Sequence, residues 1–172
     1  MKATDKKVVN TKKVDFYGKE SEINLTSEEL NMIEDEVRIA KLNGRTFEAC
    51  LGSANCYLRR YWQEVYEDAW KRIEPVVEVG MGATMNLWSD RRAMTVTKVF
   101  SPKKIEVTEN ETKCIDYYAS DYEILDTLCR YRNKTIFTLR KNGTWVQEGQ
   151  PKKYGSVTLT LGFRHHYIDP SF

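Results

Sequence analysis

At 172 residues, with 41% hydrophobic and 30% charged side chains, the chain can bury a real core and fits one domain, or one domain with an appendage. No apolar run approaches the ~20 residues a membrane helix needs. Residues 1–13 are polar and basic and lack a secretory leader's apolar stretch, so a cytoplasmic location is expected. The net charge is only +2, yet residues 130–168 carry eight Lys/Arg against one acidic residue, Glu148. A local excess of this kind says more about partners than the total does.

The first 25 residues read as a flexible polar segment, with Val14-Asp15-Phe16-Tyr17 able to add a short strand. A helix starts at Thr26, because Glu29 three residues on completes a capping box and Glu28 suits the positive end of the helix dipole. Leu30, Ile33, Val37 and Leu42 form its apolar stripe, and Asn43-Gly44 ends it. After a turn at residues 47–51, a longer helix is expected over 53–74. Leu58, Tyr61, Trp62, Val65, Tyr66, Ala69, Trp70 and Ile73 recur there at spacings of three and four. Pro75 stops it. Such a stripe either packs on the rest of the fold or offers a face to a partner.

Beyond Pro75 the period changes from about 3.6 to 2. A glycine-bounded strand runs over 79–85, Ser89-Asp90-Arg91-Arg92 turns the chain, and residues 93–100 alternate again. Ser101-Pro102-Lys103-Lys104 is a second turn, after which Ile105 and Val107 share one face. Residues 109–130, acidic and tyrosine-bearing, read as a long loop with a helical turn near 122–129. Strands at 135–140 and 144–147 flank Asn142-Gly143, the commonest type I′ hairpin signal. Val157, Leu159 and Leu161 alternate with Ser156, Thr158 and Thr160 in a half-buried strand, Gly162 interrupts it, and residues 164–168 can resume it.

Short strands punctuated this often imply a barrel or sandwich. Residues 80–107 resemble the opening strands of SH3-like barrels, with Thr95-Val96 in the second strand and Ile105-Glu106-Val107 in the third. The expected architecture is α+β: a two-helix N-terminal element (26–75) packed on a small, twisted antiparallel barrel (76–172), following a flexible segment (1–25).

Little here suggests catalysis. His165-His166 are neighbours on a strand and point to opposite faces, so they cannot converge on one ion or nucleophile. No nucleophile elbow, P-loop or dinucleotide fingerprint occurs. Cys50, Cys56, Cys114 and Cys129 form no CxxC pair and read as reduced, buried thiols. The acidic set Asp116, Asp121, Glu123 and Asp126 lacks the basic partner of a nuclease motif. No enzyme activity, cofactor or metal is expected.

Binding is better supported. Arg130, Arg132, Lys134, Arg140, Lys141, Lys152, Lys153 and Arg164 are interleaved with Tyr131, Phe137, Trp145, Tyr154, Phe163 and Tyr167. Cations neutralise phosphates and aromatic faces stack on exposed bases; the alternative is a solvated basic edge that discourages sheet pairing. Arg91 and Arg92, beside Trp88, are further candidates, since Trp and Arg dominate binding hot spots. Trp88 itself is read as a lid on the core.

Several stretches resemble a group of small proteins encoded by phages and prophages of gut Firmicutes. They are Gly82-Ala83-Thr84, Leu87-Trp88-Ser89-Asp90-Arg91, Thr95-Val96, the run from Phe137 to Trp145, Leu161-Gly162-Phe163-Arg164 and the ending Tyr167-Ile168-Asp169-Pro170-Ser171-Phe172. The resemblance covers residues 79–172 and leaves the helices as an added element. It implies context rather than site residues: a phage accessory protein that blocks host machinery. The resulting expectation is a non-enzymatic inhibitor of a host-defence effector, an anti-CRISPR protein acting on a Cas9-type effector, with DNA or RNA as a further partner. A stand-alone nucleic-acid-binding module and a virion or assembly component are the alternatives.

Overall fold

The computed structural model describes residues 9–14, 20–53, 63–132, 134–151 and 157–171, with 9–14, 20–24 and 52–53 as backbone. The chain forms two compact units: Met1–Lys41 with Arg45–Pro75, and Leu42–Gly44 with Val76–Phe172.

In the first unit, β1 (Val9–Val14) pairs antiparallel with β2 (Glu20–Leu25), so residues 9–25 contain a hairpin. Of the strand expected at 14–17, all but Val14 lies outside the described residues. Helix α1 (Ser27–Leu42) opens on the capping box. The Thr26 N–H donates to Glu29 Oε2 at 2.8 Å, and the Glu29 N–H donates to Thr26 Oγ1 at 3.2 Å. These bonds favour the ionised carboxyl of Glu29 and lower its pKa. At the other end Gly44 is left-handed (φ 62°) and the Arg45 N–H donates to the Ala40 carbonyl at 3.0 Å, a Schellman closure. Helices α2 (Phe47–Ser53) and α3 (Gln63–Arg72) complete the unit, so the turn expected at 47–51 is helical. The first half of the long helix expected over 53–74 falls on residues 54–62, outside the described residues.

The core of this unit joins Leu25, Ile33, Val37 and Ala40 to Cys50, Tyr66 and Ala69. The Tyr66 hydroxyl donates to Glu36; burial first, then that carboxylate, push its pKa well up. Burial likewise raises the Cys50 thiol. Arg72 reaches Glu34 at 2.7 Å, tying α3 to α1.

The second unit is a closed, six-stranded antiparallel barrel, consistent with a small SH3-like fold. Its strands are β3 (Gly82–Asn86), β4 (Arg91–Ser101), β5 (Lys104–Asp116), β7 (Thr135–Leu139), β8 (Trp145–Gln147) and β9 (Thr158–Leu161). The ring runs β3–β4–β5–β7–β8–β9 and closes from β9 to β3. Register shifts between Val96 and Lys98, and again between Val99 and Ser101, let β4 bend around the ring. Alternation places Ala83, Met94, Val96, Ile105, Val107, Phe137, Trp145, Leu159 and Leu161 inside.

The loop expected over 109–130 is not there. β5 continues to Asp116 and pairs with β6 (Asp121–Leu128) in a two-stranded ribbon that extends from the barrel. Its tip closes with the Asp116 carboxylate accepting the N–H groups of Tyr118 (2.9 Å) and Ala119 (3.1 Å).

Three residues distant in sequence belong to the barrel. Leu42 lies in its core, and the Trp145 indole N–H donates to the Leu42 carbonyl at 3.0 Å. The Asn43 side chain mimics a strand edge: its Nδ2 donates to the Leu161 carbonyl (3.0 Å), and the Leu161 N–H donates to its Oδ1 (2.8 Å). Gly44 lies directly against Gly143, backbone on backbone.

A candidate basic and aromatic binding site

The β3–β4 turn forms one wall of the candidate site. The Leu87 N–H donates to the Asp90 carbonyl at 3.0 Å, and the Arg91 guanidinium donates to the carbonyls of Leu87 (3.2 Å) and Asp90 (2.8 Å). Arg91 therefore braces the turn. Trp88 stands beyond the last strand pair, Asn86 with Arg91, and is 83% exposed. The expectation that it caps the core is corrected: at a turn tip no neighbouring strand can cover it.

The opposite wall is the connection from β6 to β7. It is anchored by the Cys129 N–H, which donates to the Glu109 carbonyl at 2.8 Å. Beyond it Arg130 is exposed and Tyr131 is 96% exposed. Arg132 Nε lies 3.4 Å from Glu109 Oε2, while Arg92 Nη1 lies 3.1 Å from Oε1. Lys134 reaches Glu106 at 3.1 Å and is the main reason that carboxyl's pKa is lowered. Between the walls runs a groove of about 440 Å³. Met85, Leu87 and Met94 contribute apolar surface to it; Arg92, Glu109, Tyr131 and Arg132 contribute the polar and aromatic surface.

Sequence reasoning missed Glu109 as the organiser of this groove. The available signal was its phase: it follows Ile105 and Val107 at a spacing of two, so a carboxylate takes a position the pattern reserves for apolar residues.

The basic residues do not form one face. Arg130, Arg132 and Lys134 precede β7, whereas Arg140 and Lys141 follow it, about 20 Å away at ~3.3 Å per residue. Arg140 donates to the Gln150 carbonyl at 3.4 Å, and Lys141 is exposed. Trp145 is a further correction: it is 1% exposed and belongs to the core, not to a binding surface. Lys152 and Lys153 lie outside the described residues.

Arg164 is a strut. Its Nε donates to Thr95 Oγ1 at 3.1 Å and its Nη1 reaches Asp126 at 2.9 Å. It holds the C-terminal segment over β3 and β4, where Thr84 Oγ1 donates to the Phe163 carbonyl and accepts the His165 N–H, both at 3.0 Å. Arg91 and Tyr167 exchange backbone bonds of 2.8 and 2.9 Å, so the chain after Gly162 resumes pairing through a single bridge.

The two histidines do part company: His165 is exposed and His166 is buried at 7% exposure. The His166 ring packs edge-on against Tyr122, centroids 4.7 Å apart, and neither ring nitrogen has a hydrogen-bond partner among the described residues. Burial pushes its pKa down, more than Glu109 pulls it up; Arg92 and His165 also lower it and Asp90 raises it. The unfolded chain therefore takes up this proton first as pH falls. Stability from this residue is complete above its unfolded pKa of ~6.5 and is lost as pH drops through that value toward the lower folded one. Urea midpoints from pH 8 to pH 5.5 should fall more steeply for the natural chain than for His166→Phe. Parallel curves would show that His166 does not carry the effect.

Among the described residues no group of three or more His, Cys, Asp and Glu could hold a metal ion. Of the acidic four, Asp116 caps its turn, Glu123 faces Lys113 at 3.8 Å and Asp126 binds Arg164. Of the cysteines, Cys50 is buried, Cys129 is half-buried and Cys114 is exposed, against the expectation of buried thiols; Cys56 lies outside the described residues. No helix among the described residues is long and apolar enough to cross a membrane. A second groove, of about 550 Å³, lies between α1 and α3, with Leu30, Ile33, Val65 and Ala69 flanked by Glu34, Glu64 and Asp68 against the single cation Arg72. Its acidic rim suits an anionic ligand poorly.

No family model, no curated protein and no solved structure matches this chain.

Proposed function

We propose that the chain is a non-enzymatic, phage-encoded inhibitor of a host-defence machine, with a Cas9-type CRISPR effector as the target. It engages that target by laying the Trp88 and Tyr131 end of its barrel against the effector's nucleic acid. The observation that carries the nucleic-acid contact is a groove lined by the fully presented Tyr131 with Arg92 and Arg132, whose lining residues adjoin in sequence the exposed Trp88, Arg130 and Lys134. Exposed rings on a basic surface suit unstacked bases and their phosphates. The phage context rests on the resemblance of residues 79–172.

Fluorescence anisotropy with labelled single-stranded DNA and RNA, at 50 and 300 mM salt, tests the contact. Trp88→Ala and Tyr131→Ala should each weaken binding by about 1–3 kcal/mol, the range for one base–aromatic stack. Arg130→Ala with Lys134→Ala should flatten the salt dependence. No binding at 50 mM salt would reject the contact. Target cleavage by a purified Cas9-type effector, with the protein added before or after guide loading, tests inhibition; undiminished cleavage in both orders rejects that target. A stand-alone nucleic-acid-binding module uses the same contacts and predicts binding without inhibition.

A further inference from the structure

We infer that the groove between Tyr131, Arg132 and Glu109 is a pocket for a single unpaired base, and that guanine is the base it takes. This rests on the barrel end being a nucleic-acid contact, and adds to it a specificity that stacking alone does not supply. An exposed ring stacks on any base, since every base has a π-face. Discrimination needs a hydrogen-bonding group held at the base edge.

Glu109 is such a group. Its residue is 9% exposed, yet it lines the groove. Arg92 takes Oε1 and Arg132 takes Oε2, at 3.1 and 3.4 Å, which fixes the plane of the carboxylate. A carboxylate offers about four acceptor sites, so each oxygen keeps capacity for a second donor. Two acceptors side by side call for two donors side by side. The Watson–Crick edge of guanine has them, in its N1–H and its exocyclic amine. Adenine and cytosine place a ring acceptor beside their amine, and uracil or thymine flanks its one N–H with carbonyl oxygens. Each of these would set a lone pair against the carboxylate.

The rest of the groove agrees. Tyr131 supplies a ring face and Arg132 a guanidinium plane, both of which stack on bases. Met85 and Met94 offer polarizable sulfur to the ring. Arg130 and Lys134 flank this segment in sequence, exposed, where phosphates adjoining the base can be neutralised. Two guanidiniums around one carboxylate leave the groove locally cationic, which disfavours the obvious competitor for a buried carboxylate, an arginine or lysine side chain from a protein.

The test uses the full chain and thymine-tract 11-mers carrying one central guanine, inosine, adenine, cytosine or abasic site, at 50 mM salt. The guanine oligonucleotide is expected to bind about tenfold more tightly than the adenine, cytosine and abasic ones, with inosine, which lacks the exocyclic amine, between them. Glu109→Gln should bring guanine and adenine within twofold of each other. Because that change also removes the partner of two arginines, Tyr131→Ala, at an exposed position, is the companion. It should weaken the guanine oligonucleotide about tenfold and the abasic one, whose thymines can still stack on the ring, by clearly less, so that the gap between the two narrows. Equal affinity for guanine and abasic sites overturns the pocket while leaving the nucleic-acid contact standing. Failure to bind any of the five overturns both.

Discussion

Replacing Trp145 with alanine is expected to cost about 3–5 kcal/mol, the range for truncating a large buried aromatic. The side chain is among the largest fully buried ones in the molecule and packs within a barrel core that includes Leu42 and Phe137. Its removal leaves a cavity walled by strands that hydrogen-bond on both sides and cannot collapse inward. The change also removes the donor to the Leu42 carbonyl. Against a total stability of ~5–15 kcal/mol, a loss of this size brings the barrel close to unfolding at ordinary temperature. Trp145→Phe separates the parts: it keeps most of the packing and should cost less, about 1–3 kcal/mol, mainly for a buried carbonyl left without its donor. Urea unfolding followed by far-ultraviolet circular dichroism checks both. A loss under 1 kcal/mol for Trp145→Ala would mean that the indole is not the keystone its burial indicates.

Gly143→Ala should be nearly as damaging, through the backbone. Gly143 has φ 79°, which an L side chain adopts at a cost of ~1–2 kcal/mol. A Cβ there would also sit 2.4 Å from the Gly44 carbonyl oxygen and 2.7 Å from its Cα, so one backbone must move. Overpacking of this kind adds ~1–3 kcal/mol, for a total of about 3 kcal/mol. Gly149→Ala is the matched control: φ is 83°, and none of the described residues lies within 4 Å of the added carbon. It should show the conformational cost alone. Equal midpoints for the two variants would mean that the Gly44 contact yields without penalty.

The same turn explains where the sequence was readable and where it was not. Alternation and turn residues located β3, β4, β7, β8, β9 and the first part of β5, because each of them buries one face. The Asn142-Gly143 signal correctly marked a hairpin, but the turn is not type I′. Asn142 does not take a positive φ, and the Gly143 N–H donates to the Arg140 carbonyl at 2.9 Å. This is a type I turn with a left-handed glycine after it, and the loop is three residues long. A two-residue loop would set Trp145 opposite Arg140 and turn both outward. The observed loop sets Trp145 opposite Leu139, on the core face with Phe137. One residue of register thus decides whether the largest side chain of the barrel reads as surface or core.

Trp88 and the ribbon fail for other reasons. Hydrophobicity alone assigned Trp88 to the interior, yet a turn tip has no adjoining strand to bury it. The β5–β6 ribbon leaves most of its outer residues on both faces in water, so it needs little apolar alternation and shows it only at Tyr122 and Ile124. Its pairing is carried by main-chain bonds, β-branched residues such as Thr112 and Ile124, and pairs such as Lys113 with Glu123. The candidate site was legible in its residue types and not in its grouping. Tyr131, Arg130, Arg132 and Lys134 stand together in sequence, but only the pairing of β5 with β4 and with β6 brings Glu109 and the β3–β4 hairpin to them.

Leu42, Asn43 and Gly44 give the barrel a history as well as a shape. They leave the ribosome more than a hundred residues before their partner Leu161, so the earliest part of the barrel to be made waits for the last strand before it can engage. Any recombination crossover between residues 45 and 75 would also hand a new barrel three residues selected against a different Trp145, Gly143 and Leu161. Descendants of such an exchange should carry compensating changes at those partners, and the helices and the barrel are expected to be inherited together although each has its own core.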